Sequence, residues 1–170
     1  MNWKFWTWFR PRLLTTAKPL TFIGDGRWTF FIQLDGDDAV MRPVQGRKLS
    51  ATWFGGNTDP HDDGRTASGV MTRGNPDLLG CSLPMQVSNE RKVIQCAGSP
   101  IVNVPWGTQV TVTVGNASLT MPLIDVGPAR WTTDAIDLTR AAFTKFAPVR
   151  HGTFRVESVR IHGGAKFRYA

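Results

Sequence analysis

Residues 123–139 read LIDVGPARWTTDAIDLT, and the rest of the chain can be interpreted around this stretch. An apolar run ends at Asp125, a Gly-Pro turn follows, and a polar loop leads to Asp137. The first carboxylate ends a predicted strand, and the second opens a helical pattern over residues 137–146 that Pro148 closes. Asp is a common N-cap residue, so Asp137 is predicted to cap that helix. The sequence therefore predicts two carboxylates at the two ends of one loop.

Composition favours one β-rich domain. Of the 170 residues 41% are hydrophobic, which is enough for a core, and 17 Gly and 11 Pro indicate frequent turns. Apolar and polar residues alternate most clearly in 109–114, and strands are also predicted at 50–54, 118–124 and 152–161. We therefore predict an all-β fold with one or two short helices.

The amino-terminal part of the chain differs from the rest. Residues 1–19 combine five aromatic side chains with basic residues, and residues 20–47 predict a β-hairpin extension with a turn at 35–38. Residues 48–170 are predicted to form the main β domain. Three roles stay open for the aromatic arm: packing on its own domain, docking on another protein subunit, or lying at a membrane surface.

The charge balance restricts the partners that we expect. The net charge of +7 favours a polyanion: nucleic acid, anionic lipid, or the acidic polymers of a bacterial envelope. Lys and Arg are scattered and no recognition motif is present, so we expect no specific nucleic-acid partner. No stretch approaches the ~20 apolar residues of a transmembrane helix. The start, MNWKFWTWFRPRLL, lacks the pattern of a secretory signal.

No metal or cofactor is predicted. Cys81 and Cys96 leave a disulfide and two reduced thiols equally open, and with three scattered histidines they show no zinc spacing. Asp35, Asp37 and Asp38 lack the Glu that a calcium loop needs, so they are interpreted as a solvated turn.

Five blocks in the main domain carry a family resemblance. They are SATWFGG (50–56), GRTASG (64–69), VPWGT (104–108), LIDVGP (123–128) and AIDLTRAA (135–142). In this order they resemble the rare lipoprotein A-like double-psi β-barrel family, which is related to expansins, to small endoglucanases of the same barrel and to the barrel of membrane-bound lytic transglycosylase A. The resemblance covers about residues 48–162. It implies a six-stranded double-psi β-barrel with a groove for an extended polysaccharide, here the cell-wall glycan peptidoglycan.

The resemblance also implies a catalytic residue. An Asp that matches Asp125 acts in the family's enzymes as general acid on the glycosidic oxygen, in a lytic transglycosylase or glycosidase-like reaction. That role needs a carboxyl group with a raised pKa, and the apolar residues 121–124 are neighbours that favour desolvation. The family's lytic enzymes also carry a His before the turn at 105–108. Here that position falls near Val102, and no His surrounds it.

Further candidate residues come from the same blocks and from one acidic loop. His61, Asp62 and Asp63 are the remaining catalytic candidates, in a loop that we expect to face Asp125 across the groove. Substrate contacts are expected from Trp53, Gly55, Gly56, Asp59, Thr66, Ser68, Trp106, Gly127 and Asp137.

The candidate residues also have non-catalytic interpretations. Asp125 can bond the amides of its own turn, Asp137 can be a helix cap alone, the loop 59–63 can be solvated, and both Trp53 and Trp106 can belong to the core. Two functions follow. The first is a peptidoglycan-directed enzyme, and the second is a glycan-binding or assembly module that docks through residues 1–19. Without an export signal, delivery to the bacterial envelope or the extracellular space is expected as part of a phage virion or a similar assembly.

Overall fold

The computed structural model describes residues 30–56, 63–84, 86–87, 92–96, 99–102, 104–128, 134–163 and 168–169. The predicted arm, residues 1–19, lies outside the described residues, as do Asp59, His61 and Asp62. The described part of the chain is mainly β-strand, and the one α-helix within it is four residues long. The prediction of an all-β fold is therefore confirmed.

Thirteen strands lie in the described residues. They are β1 (Phe30–Asp35), β2 (Asp38–Pro43), β3 (Leu49–Phe54), β4 (Cys81–Leu83), β5 (Gln86–Val87), β6 (Lys92–Cys96), β7 (Ser99–Val102), β8 (Gln109–Val114), β9 (Ala117–Val126), β10 (Ile136–Thr139), β11 (Phe154–Val156), β12 (Ser158–His162) and β13 (Arg168–Tyr169). Helix α1 (Arg140–Phe143) follows β10, and a single 3-10 turn (Val149–His151) precedes β11.

Nine of these strands form one curled sheet. Its order is β1-β2-β12-β8-β9-β4-β10-β3-β11, and the other four form a small sheet in the order β13-β7-β6-β5. Most neighbours in the large sheet are antiparallel, but β3 with β10 and β4 with β9 are parallel pairs. One residue, Glu157, separates β11 from β12, and these two strands pair with β3 and β8 respectively. The chain therefore bends at Glu157 from one part of the curled sheet to another.

The inner face of the curl forms the hydrophobic core. Val110 and Val112 of β8 are fully buried, while Thr111 between them is half-buried, as the alternation predicted. The hairpin β1–β2 contributes Phe30 and Met41 to the same core, and β2 pairs with β12. The other large, fully buried side chains are Phe143, Leu49, Leu83, Met121, Leu123, Ile136, Leu138 and Ile161.

The predicted helix over residues 137–146 is wrong in its first part. Residues 136–139 are the strand β10, which pairs with β3 on one side and β4 on the other. Pairing on both sides satisfies the backbone of this segment and outweighs its local helix preference. The helix α1 is capped by Thr139, whose Oγ1 accepts a hydrogen bond from Ala142 N at 3.4 Å. Asp137 is therefore a strand residue and not the cap.

Cys81 is a free thiol at the centre of the fold. Its Sγ lies 3.7 Å from the Pro122 carbonyl oxygen, and burial raises the pKa of the thiol. A buried, protonated thiol of this kind is chemically inert. The structure thus favours reduced cysteine over a disulfide at position 81. No helix in the described part of the chain combines the length and the hydrophobicity needed to span a lipid bilayer.

Candidate functional site

Four polar residues form a row across adjacent strands of the curled sheet. Thr52 on β3 is paired with Asp137 on β10, Asp137 with Ser82 on β4, and Ser82 with Asp125 on β9. Directly paired residues on neighbouring strands place their side chains on one face of a sheet. Side chains alternate between the two faces along a strand, and the residues next to Thr52 on β3 and next to Asp137 on β10 point into the core. The four polar residues therefore lie on the opposite face of the sheet. We call these four residues the polar row.

Asp137 occupies the middle of the polar row. Thr52 Oγ1 donates a hydrogen bond to its Oδ1, and Ser82 Oγ donates to its Oδ2 at 3.4 Å. Gly127 covers the carboxylate from the β9 side. A Cβ atom at position 127 would lie 2.7 Å from Asp137 Oδ2 and 2.9 Å from Ser82 Oγ, so no larger residue fits there without a shift. Gly127 therefore leaves the space that the Asp137 carboxylate and the Ser82 hydroxyl occupy.

The environment of Asp137 changes its acidity. Burial raises the pKa of Asp137 from 3.8 to about 6, against the lowering effect of the hydrogen bonds from Thr52 and Ser82. The nearby charges of Asp134 and Asp125 also raise this pKa. A carboxyl group with a pKa near 6 keeps its proton to a higher pH than an ordinary Asp does. A group that donates a proton to a substrate near neutral pH needs this property.

Asp125 has a different set of partners. It is half-buried, and its Oδ1 accepts hydrogen bonds from the backbone N–H groups of Ala67 at 2.9 Å and Val126 at 2.8 Å. Bonds from backbone amides to a carboxylate are charge-assisted. The backbones of Asp125 and Asp137 are separated by one intervening strand, which is a distance of roughly 10 Å.

A loop of small residues brings the Ala67 amide to Asp125. Ser68 N donates to the Ile124 carbonyl at 3.1 Å, and the hydroxyls of Thr66 and Ser68 are hydrogen-bonded at 2.9 Å. Thr66 is buried, so it holds the loop in place rather than facing substrate. This segment therefore contacts Asp125 through the backbone of Ala67 and not through the side chains of Thr66 and Ser68, for which substrate contacts were predicted.

Asp134 is a third carboxylate near the site that the sequence interpretation missed. Its Oδ1 accepts a hydrogen bond from Ser50 Oγ at 2.7 Å. Ser50 lies on β3 two residues before Thr52 and therefore on the same face. The sequence contained part of the signal, because Ser50 and Thr52 alternate on one face of the predicted strand 50–54, but only the structure shows which segment pairs with that strand.

Asp63 contributes to its own loop. It is exposed, and its Oδ1 accepts a hydrogen bond from Arg65 N at 2.8 Å, which stabilises a local turn. The structure therefore does not join Asp63 to the polar row through any contact that it describes. The other two catalytic candidates of this loop, His61 and Asp62, lie outside the described residues.

The two tryptophan candidates and the Gly-Gly pair have structural roles. Trp53 and Trp106 are half-buried and pack against the hydrophobic core, as the alternative interpretation stated. Gly55 has a φ of +74°, and a Cβ atom there would lie 2.8 Å from Thr72 Cβ. Gly56 follows with a φ of +100°. Only glycine adopts two such conformations in succession without strain, so the pair ends β3 with a tight bend.

A cavity of about 220 Å³ lies next to the polar row. Phe54 and Thr139 in its lining are two residues further along β3 and β10 than Thr52 and Asp137. Alternate residues of a strand share a face, so the cavity opens on the same face as Asp137. Within the described residues, no group of three His, Cys, Asp or Glu side chains is arranged to hold a metal ion.

Comparison with known proteins gives a distant structural similarity. No family model and no curated protein matches the chain. Among solved structures, the chain is similar to a Streptomyces papain inhibitor, with 20% sequence identity and a TM-score of 0.44. That alignment covers 67% of this chain and 90% of the inhibitor.

Proposed function

We propose that this chain acts on cell-wall glycan as a lytic transglycosylase or glycosidase-like enzyme, with Asp137 as the proton donor and Asp125 as its charged partner. The observation that carries the proposal is the position of Asp137 at the centre of the polar row, hydrogen-bonded by Thr52 and Ser82, where burial raises its pKa to about 6. The site of action is the bacterial envelope, where peptidoglycan lies. The family resemblance of the five sequence blocks supplies the substrate class.

The hydrogen bonds support this division of roles between the two carboxyl groups. The Thr52 and Ser82 hydroxyls can donate to an ionised Asp137 and can accept from a protonated one, so both forms are accommodated. The amides of Ala67 and Val126 can only donate, so they favour a negative charge on Asp125. The acid role that the resemblance implied for Asp125 therefore fits Asp137 better.

The strand connections support the same fold as the resemblance. We infer a six-stranded double-psi barrel built from β3, β4, β8, β9, β10 and a bent strand made of β11 and β12. The pairings β3-β10-β4-β9-β8-β12 run in sequence, and Glu157 leads from β12 to β11, which pairs with β3. This circuit returns to its starting strand, and it contains two parallel pairs.

In this mechanism the glycan lies across the polar row. Asp137 transfers its proton to the glycosidic oxygen while the bond from the anomeric carbon to that oxygen breaks, and the leaving sugar keeps the proton as a hydroxyl group. The Asp125 carboxylate stabilises the positive charge that develops on the sugar ring. In a transglycosylase the sugar's own hydroxyl attacks the anomeric carbon and gives its proton to the Asp137 carboxylate, which restores the acid for the next cycle. One carboxyl group that donates and then regains a proton is sufficient for this reaction.

The test is release of soluble muropeptides from purified peptidoglycan sacculi. We expect the wild-type chain to release them, and the Asp137→Asn variant to lose at least about 100-fold in rate because it has no proton to donate. Asp134→Asn is the matched control, since it also removes one carboxylate near the site, and it should stay within about 10-fold of the wild type. An Asp137→Asn variant with the wild-type rate would remove Asp137 from the mechanism.

A glycan-binding or assembly module is the second candidate function. The lack of a His near Val102 and the aromatic residues of 1–19 favour it. In that case residues 1–19 dock onto a protein partner, such as a subunit of a phage particle or secretion machine. The same assay separates the two functions: sacculi that bind wild type and Asp137→Asn equally, with no fragment released by either, would favour the binding module.

A further inference from the structure

A second cluster of polar side chains lies across β2, β12, β8 and β9. Asp38 is paired with His162, and Thr111 is paired with Thr120. The neighbours of Thr111 on β8 point into the core, so Thr111 itself points to the outer face of the sheet. Thr120 lies five residues before Asp125 on β9, which is roughly 17 Å along the strand. This cluster is therefore separate from the polar row.

The side chains of the cluster are connected by hydrogen bonds. His162 Nδ1 lies 3.3 Å from Asp38 Oδ2, and His162 Nε2 lies 2.7 Å from Thr111 Oγ1. Thr111 Oγ1 in turn lies 2.8 Å from Thr120 Oγ1. A carboxylate, an imidazole and a hydroxyl group thus follow each other in the order that activates a hydroxyl nucleophile in acyl-transfer enzymes.

The carboxylate of Asp38 decides which nitrogen of a neutral His162 carries the hydrogen. A carboxylate can only accept a hydrogen bond, so the hydrogen lies on Nδ1 and the lone pair of Nε2 faces Thr111. Thr111 therefore donates to Nε2 and accepts from Thr120. Arg160 Nη1 fixes the carboxylate from the other side, because it donates to Asp38 Oδ2 at 3.1 Å. The imidazole is thus oriented to act as a base toward the Thr111 hydroxyl group.

We propose that Thr111 is a nucleophile that takes an acyl group from a small activated ester, with His162 as its general base and Asp38 as the residue that orients His162. Thr111 Oγ1 attacks the carbonyl carbon while its proton passes to His162 Nε2. The bond from that carbon to the leaving oxygen then breaks, and the leaving alcohol takes the proton from Nε2. Thr120 donates a hydrogen bond to the oxyanion that forms between these two steps.

The position of Thr111 determines which esters react and how the acyl group leaves. Thr111 and His162 are half-buried on a sheet face and Thr120 is exposed, so a small, unhindered carbonyl group can reach Thr111 Oγ1. Water then attacks the Thr111 ester. His162 takes the proton of the water and returns it to Thr111 Oγ1, which releases the acid and restores the free hydroxyl group.

The test treats the full chain with p-nitrophenyl acetate at about pH 8, where an ordinary histidine is neutral. Peptide mass spectrometry locates the acetyl groups, and we expect one of them on Thr111. Lysine side chains react once and stop, so the steady release of p-nitrophenol measures repeated reaction at a hydrolysable ester. We expect Thr111→Val to lower this steady rate at least about 10-fold. Thr111→Ser keeps the hydroxyl group and should keep the reaction.

Thr113→Val is the matched control. Thr113 lies two residues further along β8 on the same face and is also half-buried, but in the part of the chain that the structure describes its hydroxyl group has no hydrogen bond to a histidine. This variant should therefore release p-nitrophenol at the wild-type rate. The same rate in wild type and Thr111→Val would overturn the proposal.

Two further variants test the base and the residue that orients it. His162→Gln should lose the Thr111 ester, and Asp38→Asn should slow its formation, because an amide no longer fixes the hydrogen on Nδ1. Acetylation of Thr111 at an unchanged rate in His162→Gln would overturn the role of the base. Acetyl groups on His162 or on lysines alone would overturn the role of Thr111. None of these measurements involves a glycan, so their outcome does not depend on the proposed function.

Discussion

Asp137 sits between two hydroxyl groups and beneath a glycine, and this arrangement lets one carboxyl group exist in two protonation states. Thr52 and Ser82 can reverse their hydrogen bonds, and Gly127 leaves room for the carboxylate but for nothing larger. A buried group of this kind is a common sign of a functional site, since its ionised form reduces stability. That cost leads to the first prediction.

Replacing Asp137 by Asn should raise stability at neutral pH. The folded pKa of about 6 lies above the ordinary value of 3.8, so the folded state binds this proton more tightly than the unfolded state. The cost of ionisation is absent below about pH 4, grows between pH 4 and 6, and is constant above, where it reaches about 3 kcal/mol at most. Asn cannot ionise and therefore avoids the cost.

Urea unfolding of both proteins at pH 4, 5, 6 and 7 measures this effect. The difference in unfolding free energy between Asp137→Asn and wild type should increase in favour of the variant as the pH rises through 5 and 6. Asp134→Asn should show a smaller trend in the same direction, because it removes only the part of the Asp137 pKa rise that comes from the Asp134 charge. A difference that stays flat across this range would show that Asp137 ionises at its ordinary pKa.

The sequence identified the two main carboxylates but not their surroundings. Asp125 stands out because it ends an apolar run, and Asp137 because it opens a helical pattern after the polar loop. Asp137 was predicted to cap a helix because capping preference depends only on neighbouring residues in the chain. Its position in the strand β10 depends on pairing with β3 and β4, which lie far away in sequence. Ser82 was missed for the same reason: its nearest neighbours in the chain indicate nothing about the strands on either side of it.

At the scale of elements, the hairpin β1–β2 is held to the rest of the molecule by two kinds of contact. Arg160 on β12 donates to Asp35 at 2.7 Å and to Asp38 at 3.1 Å, and Asp38 also lies 3.3 Å from His162 Nδ1. The inner face of the hairpin meanwhile contributes fully buried residues to the core, among them Met41. The turn at 35–38 was predictable from the sequence, but its ionic contact with residue 160 was not, because more than a hundred residues separate them.

These two kinds of contact should differ strongly in their effect on stability. Met41 is fully buried, so Met41→Ala should cost about 2–5 kcal/mol through the cavity it leaves. The side chains of Arg160 and Asp35 are 37% and 53% exposed, so Arg160→Met should cost about 1 kcal/mol or less. Chemical denaturation of both variants measures the contrast. A larger loss for Arg160→Met than for Met41→Ala would mean that ion pairs, and not the core, hold the hairpin.

At the scale of the whole molecule, the net charge of the chain and the charge of the candidate site have opposite signs. The chain carries +7 overall, yet Asp125, Asp134 and Asp137 lie together on one face. The overall positive charge favours association with an anionic polymer. The local negative charges of Asp125 and Asp134 help to keep a proton on Asp137. The long-range attraction and the local acidity therefore come from different groups.

Substitutions at Glu157, where β11 leads into β12, test whether the curled sheet closes into a barrel. Glu157 N donates to the Thr113 carbonyl at 2.9 Å, and the two strands on either side pair with β3 and β8. Proline at this position removes the donor and constrains the bend. If the strands form a closed barrel, Glu157→Pro should cost about 3 kcal/mol or more, while Glu157→Ala, at an exposed side chain, should stay within about 0.5 kcal/mol.

Hydrogen exchange then distinguishes a closed barrel from an open sheet. In a closed barrel the amides of β3 and β8 should both lose protection in Glu157→Pro, because one bent strand joins them. Faster exchange confined to the β8 side would instead indicate that the sheet is open at this position.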